Sequence, residues 1–308
     1  RWGRGQETYG EDPYLSGTIG SAFVKGIQGD HPEYLKAAAC AKHYVVHSGP
    51  EALRHEFDAK AGPKDMYETY LPAFESLVDA GVKGVMCAYN RTNGKPCCGS
   101  KSLLVDILRE DWNFTGYIVS DCGALGDIHG NHNYTNSPEE SAALAIKNTV
   151  NLNCGNTYSR LNEAVEQGLL EEATIDSALK TLLKIRFGLG QFDPPERNPY
   201  TSISSDVVRS SEHLKLAREA AQKSMVLLKN ENSTLPLDKD LDMVYVTGPN
   251  ATDQQVLLGN YYGLSDNLVT ILEGIVGKTE YGNSVRYRQG VLLDRENVNP
   301  IDWASGTA

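Results

Sequence analysis

No stretch of the 308-residue chain approaches the roughly 18 consecutive apolar residues that a membrane-spanning helix needs. The run Met225-Val226-Leu227-Leu228 is far shorter. Basic charge is also scarce, with 29 Lys and Arg against 40 Asp and Glu, a net charge of −11 and no Lys/Arg cluster. Phosphate neutralisation requires a basic face, so nucleic acid and anionic membrane surfaces are not expected partners. Phosphate-cradling loops are missing too. Gly188-Leu189-Gly190 and Gly248-Pro249-Asn250 fit neither GxGxxG nor GxxxxGK, and no nucleotide site is expected. Cysteine is absent from the second half of the chain, and the six that occur lie between Cys40 and Cys154 without a CxxC spacing. Cys97 and Cys98 are adjacent and badly placed to bridge each other, so most cysteines read as small buried hydrophobes and no disulfide is expected. There is no initiator Met, no signal-peptide apolar region and no internal repeat. The start at Arg1 and the stop at Ala308 read as the ends of a fragment.

What is present suffices for a folded core: 40% of residues are hydrophobic and 22% charged. The length allows one large domain or two ordinary ones. From Tyr14 to Gly29, Leu15, Ile19, Phe23 and Ile27 recur every four residues and predict a helix with that row as its apolar face. Residues 35–44 read as a buried strand whose polar end emerges at Lys42 and His43. A second helix follows a Gly/Pro-rich loop, with Pro72 near its start, and ends at Gly81. The alternation goes on through a strand at 84–90, a helix at 101–110, a strand at 116–121, a helix at 139–148 and a strand at 150–155. Helices at 161–167 and 174–187 complete it. Apolar strands that end polar and alternate with helices predict a parallel α/β fold, with chemistry at the strands' C-terminal ends if it closes as a (β/α)8 barrel.

The pattern breaks at Pro194, Pro195 and Pro199, which places a linker at residues 191–211. The domains expected are a barrel part at 1–190 and a second α/β unit at 212–308. In the latter, helices are expected at 212–229 and 268–276 and strands at 241–249 and 284–287.

Among single residues, Asp121 closes a β-branched strand. A carboxylate there can act as nucleophile or base, or it can cap the next helix. Lys42 and His43 at another strand end can donate to hydroxyl groups. His43, His47 and His55 suggest a metal only weakly, because Tyr44 stands where the helical zinc motif needs Glu and Val45-Val46 disfavours a helix. His129 and His132, in a Gly/Asn-rich loop, read as solvated. The sequons at Asn90, Asn113, Asn133, Asn232 and Asn250 are expected by chance. The segment Arg1 to Pro13 is rich in charge, Gly and aromatics, which suits stacking on sugar rings or an internally paired loop.

Taken in order, several segments resemble glycoside hydrolase family 3, and its β-xylosidase branch in particular. These are RWGRGQETYGEDP at 1–13, Lys42-His43 with Ser48 to Glu51 and Arg54 to Phe57, and Met86 to Asn90 with Asn93 to Pro96. Tyr117 to Cys122, Arg186 to Gly190, Ser224 to Asn230 and Thr247 to Ala251 continue the series. The resemblance implies a partial (β/α)8 barrel, its first strands preceding Arg1, followed by the beginning of an α/β sandwich. It also implies a retaining exo-glycosidase without cofactor or metal, acting on xylo-oligosaccharides or another β-glycoside.

By position, the resemblance makes Asp121 the nucleophile. Arg4, Lys42, His43 and Tyr89, with Arg54 and Glu7, bind the sugar. Cys122 after the nucleophile favours the xylosidase branch. A β-glucosidase, a bifunctional xylosidase/α-L-arabinofuranosidase and a non-catalytic sugar-binding remnant are the alternatives. The chain departs from the family in two ways: Asn151 stands where relatives usually have Asp, and the acid/base Glu is expected beyond Ala308. Secretion or a periplasmic location is the expected compartment.

Overall fold

The structure, a computed structural model, describes residues 8–258, 265, 267–280 and 282–292. The chain divides into two units after Ser204, inside the stretch 191–211. The described strands are β1 (Cys40–Tyr44), β2 (Asp58–Ala59), β3 (Gly84–Cys87), β4 (Arg91–Thr92), β5 (Lys95–Pro96), β6 (Tyr117–Ser120), β7 (Met243–Thr247) and β8 (Ser284–Arg288).

In the first unit, β1, β3 and β6 form a parallel sheet in that order, with helices between successive strands. Cys40 pairs with Gly84, and Gly84 in turn with Tyr117, so all three strands start in register. A parallel bridge from Val119 to Leu152 extends the wall where a full strand was expected at 150–155. This is the β/α wall that the alternating pattern predicts. Its core is made of fully buried Tyr44, Val85, Leu104, Leu108, Ile118, Leu125 and Ile128. Leu103, Leu104 and Leu108 come from Ser102–Asp111, which winds as a π-helix. A small sheet of β2, β4 and β5 sits beyond the C-terminal end of β3.

The first helix, Pro13–Gln28, starts where Asp12 accepts from the Tyr14 N–H at 2.9 Å and Pro13 presets φ. Its buried face is not the expected one. Leu15, Ile19 and Phe23 are exposed, and Gly17, Gly20, Val24 and Gln28 face inward. The reason is the closeness of the helix Pro72–Asp79: a Cβ at Gly17 would lie 2.8 Å from Ser76 Oγ, and one at Gly20 would lie 2.7 Å from Leu77 Cδ2. Glycine here permits a helix contact that a row of large side chains would hold apart.

Residues 191–204 are not a free linker. The Tyr34 hydroxyl donates to Asp193 Oδ2 at 2.8 Å, and Asn198 is buried and donates to the Leu189 carbonyl. Residues 124–130 form a helix, and His132 behind it is buried rather than solvated. Asn90 is buried as well, with its amide spent on the carbonyls of Val45, Val46 and Arg91, so this sequon lies in the core.

In the second unit, β7 and β8 pair in parallel over their full length, and the helix Ile271–Val276 lies between them in the chain. A capping box of Thr270 and Glu273 starts that helix three residues later than expected. The helix Ser211–Ser224 also stops short of Lys229, because Met225 turns extended at φ −79° and ψ 125°.

Four of the six cysteines are bridged, Cys87 to Cys98 and Cys122 to Cys154, which corrects the expectation of unbridged cysteines. Adjacency rules out a Cys97–Cys98 bond, but it does not prevent Cys98 from reaching a neighbouring strand. Cys40 and Cys97 stay free. The bridges close loops of 11 and 32 residues. Chain-entropy arguments give the longer loop about 3.7 kcal/mol and the shorter about 2.8 kcal/mol. Urea unfolding should therefore show a larger loss for Cys122→Ser/Cys154→Ser than for Cys87→Ser/Cys98→Ser; the reverse order would refute this ledger.

Candidate active site

The three strands also finish together: a bulge between Ala41 and Tyr44 takes up the extra residue of β1, so that Tyr44 pairs with Cys87 and Cys87 with Ser120. Hence His43 near the end of β1, Ala88 to Asn90 after β3 and Asp121 after β6 emerge at one edge of the sheet. The Asp121 N–H donates to the Cys87 carbonyl at 3.1 Å and the Ala88 N–H to the Tyr44 carbonyl at 2.9 Å, which carries the ladder one step past the strands.

The Asp121 carboxylate is buried, with the residue 8% exposed, and its two oxygens have different neighbours. Oδ1 accepts from the Cys122 N–H at 2.8 Å. Oδ2 lies 3.3 Å from His43 Nε2. Asp121 does not cap the helix Ala124–Gly130 with its side chain; Gly123, at φ 90°, occupies that N-cap. A carboxylate buried at a strand end beside an imidazole, and not spent on a helix cap, is available for chemistry at Oδ2.

Tyr89 closes one side. Its hydroxyl donates to the Cys122 carbonyl at 2.8 Å, and burial, then the Asp121 charge, push its pKa well above the ordinary phenol range. It is therefore a neutral donor at any working pH. Lys42 is exposed beside buried His43. The Cys40 thiol, earlier on the same strand, is pushed up to about 11 mainly by burial. Arg54 pairs with Glu51, and its guanidinium sits 5.9 Å from the Tyr89 ring centroid. The structure thus brings Asp121, His43, Tyr89 and Arg54 together, with Lys42 adjoining. Arg4 and Glu7 lie outside the described residues.

Three further groups belong to this cluster. His47 stacks at 5.0 Å from the His43 ring and shares a 3.0 Å hydrogen bond with Asn90 Oδ1. His55 packs edge-on against Tyr89 at 4.5 Å, and its Nδ1 is 2.8 Å from Asp127 Oδ2. The sequence suggested the histidines only as weak metal ligands. Their imidazoles instead go to amide, carboxylate and ring partners, and among the described residues no three His, Cys, Asp or Glu side chains converge on a metal position. Asp127 was not singled out; the one signal for it, a carboxylate six residues after Asp121 and one turn into the next helix, is too common to point to a site.

Asn151 is not part of this pocket. Its Oδ1 accepts from the Ile118 N–H at 2.8 Å and from Arg109 Nη2 at 3.1 Å, and its Nδ2 donates to the Ala178 carbonyl, all at the starting end of β6. The departure from Asp there bears on Arg109 and not on the Asp121 end of the sheet.

Comparison with known proteins agrees with this geometry. The glycosyl hydrolase family 3 N terminal domain matches residues 1–185, and the family's C-terminal domain matches residues 225–299. A xylan 1,4-beta-xylosidase of Xylanibacter ruminicola is 44% identical over 283 residues, covering 90% of this chain and 33% of the relative. A beta-xylosidase/alpha-L-arabinofuranosidase 1 of Medicago sativa subsp. varia is 41% identical over 286 residues, covering 89% of this chain and 37% of that protein. Among solved structures, a GH3 exo-beta-xylosidase (XlnD) in complex with a xylobiose aziridine activity-based probe superposes with a TM-score of 0.86 at 36% identity, covering 95% of this chain and 38% of that one. The chain therefore spans between 33% and 38% of the length of these relatives. With a family match over residues 1–185 of 308 and identities of this size, the chain belongs to glycosyl hydrolase family 3, as part of its TIM-like barrel followed by residues of its C-terminal domain.

Proposed function

We propose that the protein is a retaining β-xylosidase that removes terminal xylose from xylo-oligosaccharides, with Asp121 as its nucleophile. The observation that carries this reading is the buried Asp121 carboxylate, held by the Cys122 N–H through Oδ1 and facing His43 through Oδ2. In the first step Oδ2 attacks the anomeric carbon. The bond to the leaving-group oxygen breaks, that oxygen takes a proton from a general acid, and a glycosyl-aspartate ester forms. In the second step water gives a proton back to the conjugate base of that acid, its oxygen bonds to the anomeric carbon, and the ester bond to Oδ2 breaks to release the sugar and the Asp121 carboxylate. Lys42, His43 and Arg54, with Arg4 and Glu7, bind sugar hydroxyls. Tyr89, whose hydroxyl donates to the Cys122 carbonyl and also meets the Asp121 carboxylate, walls the pocket.

The xylose preference draws support from the Xylanibacter relative and from the exo-xylosidase structure. The Cys122–Cys154 bridge lies next to the nucleophile in the chain. The Medicago relative motivates a second activity on α-L-arabinofuranosides. We place the protein in a secreted or periplasmic compartment, a reading that two disulfides support because the cytosol keeps thiols reduced. Alkylation of the native protein without reductant should leave Cys87, Cys98, Cys122 and Cys154 unmodified after unfolding; modification of all six cysteines would overturn the compartment.

Kinetics of the full-length gene product on p-nitrophenyl β-xyloside, β-glucoside and α-L-arabinofuranoside decide the substrate. The xyloside should have the highest kcat/KM, and dominant glucoside turnover would sink the assignment. Asp121→Asn should lower xyloside kcat/KM by roughly 10^3-fold or more, as expected for a group that forms the covalent bond. Unchanged activity would exclude it as nucleophile.

Tyr89→Phe removes a hydroxyl that donates to the Cys122 carbonyl and also meets the Asp121 carboxylate, and a hydrogen bond to a charged group is worth about 1.5–3 kcal/mol. Its kcat/KM should fall by no more than about a hundredfold. A loss as large as that of Asp121→Asn would mean that the phenol itself takes part in the chemistry.

A further inference from the structure

A cavity of about 520 Å³ opens at the end of the first unit's sheet opposite Asp121. Thr115, on its wall, precedes β6, whereas Asp121 follows β6, and six residues of strand separate the two ends by about 20 Å. The lining is unusual for this chain. It includes the cations Arg109 and Lys147 and, among the described residues, no Asp or Glu, although acidic residues outnumber basic ones 40 to 29 overall.

Arg109 is held only by neutral acceptors. Nη1 donates to the Phe114 carbonyl at 2.8 Å and to the Gly116 carbonyl at 2.7 Å, Nε to Thr149 Oγ1 at 3.2 Å, and Nη2 to Asn151 Oδ1 at 3.1 Å. A guanidinium has five N–H donors, so one on Nη2 is left over. Its guanidinium also lies 5.0 Å from the Phe114 ring centroid; burial brings its pKa down to about 10, with no carboxylate among the described residues contributing to the shift. A largely buried cation without an anion is costly, and the surrounding structure would be expected to neutralise it. Thr149, which accepts from Nε, is a β-branched residue at φ 67°, in the left-handed region such residues avoid. Across the cavity, Thr174 and Ser177 from the helix Glu172–Gly188 add hydroxyl donors.

We propose that this cavity binds a small oxyanion of the size of inorganic phosphate, held by the remaining Nη2–H of Arg109, the Lys147 ammonium and the hydroxyls of Thr174 and Ser177. The anion supplies the charge that Arg109 lacks and ties the helix Ser102–Asp111 to the turn at 149–151 and to the helix Glu172–Gly188. The site is independent of Asp121 and of the substrate reading, so neither result decides the other.

Thermal unfolding of the full-length gene product in chloride and in inorganic phosphate, at constant ionic strength, tests it. The midpoint of the wild type should rise by several degrees and saturate with phosphate. Asn151→Asp sets a carboxylate against Nη2 while retaining the acceptor for the Ile118 N–H; it should raise the midpoint in chloride and abolish the phosphate response. Lys147→Ala changes an exposed side chain at a helix end, so it should fold normally and require at least fivefold more phosphate for the same shift. Equal wild-type midpoints in phosphate and chloride overturn the site, whether the cavity then stands empty or is closed by another part of the chain. A phosphate response as large in both variants as in the wild type overturns it too, since that is a general salt effect.

Discussion

The site depends on the parallel register of β1, β3 and β6. Cys40, Gly84 and Tyr117 lie side by side at the start, a bulge between Ala41 and Tyr44 absorbs the extra residue of β1, and Tyr44, Cys87 and Ser120 lie side by side at the finish, so the residues just past the strands are delivered to one end of the sheet. A one-residue slip would turn each strand's inward side chains outward. The hydrogen bond from the Asp121 N–H to the Cys87 carbonyl continues that register beyond the last ladder pair, so the backbone of the candidate nucleophile is placed by the sheet and not by a loop. Sites built on sheet ends in this way hold their geometry better than sites carried on loops alone.

Covalent bonds reinforce the same edge. Cys87, whose carbonyl receives the Asp121 N–H, is bridged to Cys98, and Cys122, which follows Asp121 and gives its N–H to Oδ1, is bridged to Cys154. Tyr89 links the two strands through the Cys122 carbonyl. The residues on either side of the carboxylate are thus tied to neighbouring segments by bonds that do not depend on a bound sugar. Such preorganisation favours a group that must meet a reacting atom at bonding distance. The charge arrangement also divides cleanly. The Asp121 end gathers a carboxylate, imidazoles and a phenol, while the cavity at the Arg109 end is lined by cations and hydroxyls and, among the described residues, by no carboxylate. One stretch of wall presents two chemically distinct faces at its two ends.

Much of this was legible before any coordinates. The β/α alternation, the strand tips at Lys42, His43 and Asp121, and the motif order that resembles glycoside hydrolase family 3 all follow from residue pattern. Strands and helices announce themselves through local periodicity, and a motif is local by definition. What the pattern misjudged involved neighbours distant in the chain. Leu15, Ile19 and Phe23 look like the inner face of the first helix, yet two glycines form it, because only they permit the approach of Ser76 and Leu77. The cysteines look like separate hydrophobes until β3 and the segment after Ser120 bring them within bonding distance of Cys98 and Cys154.

The sequence by itself determined the fold class and the family, because these reside in short patterns and in their order. Only the tertiary structure decided which oxygen of Asp121 meets His43, that His55 leans on Tyr89 and Asp127, and that Asn151 serves Arg109 and not the sugar. Those are contacts between residues separated by 34 to 78 positions in the chain. No local propensity encodes them, since they follow from the register in which parallel strands, connected through helices, come to lie side by side.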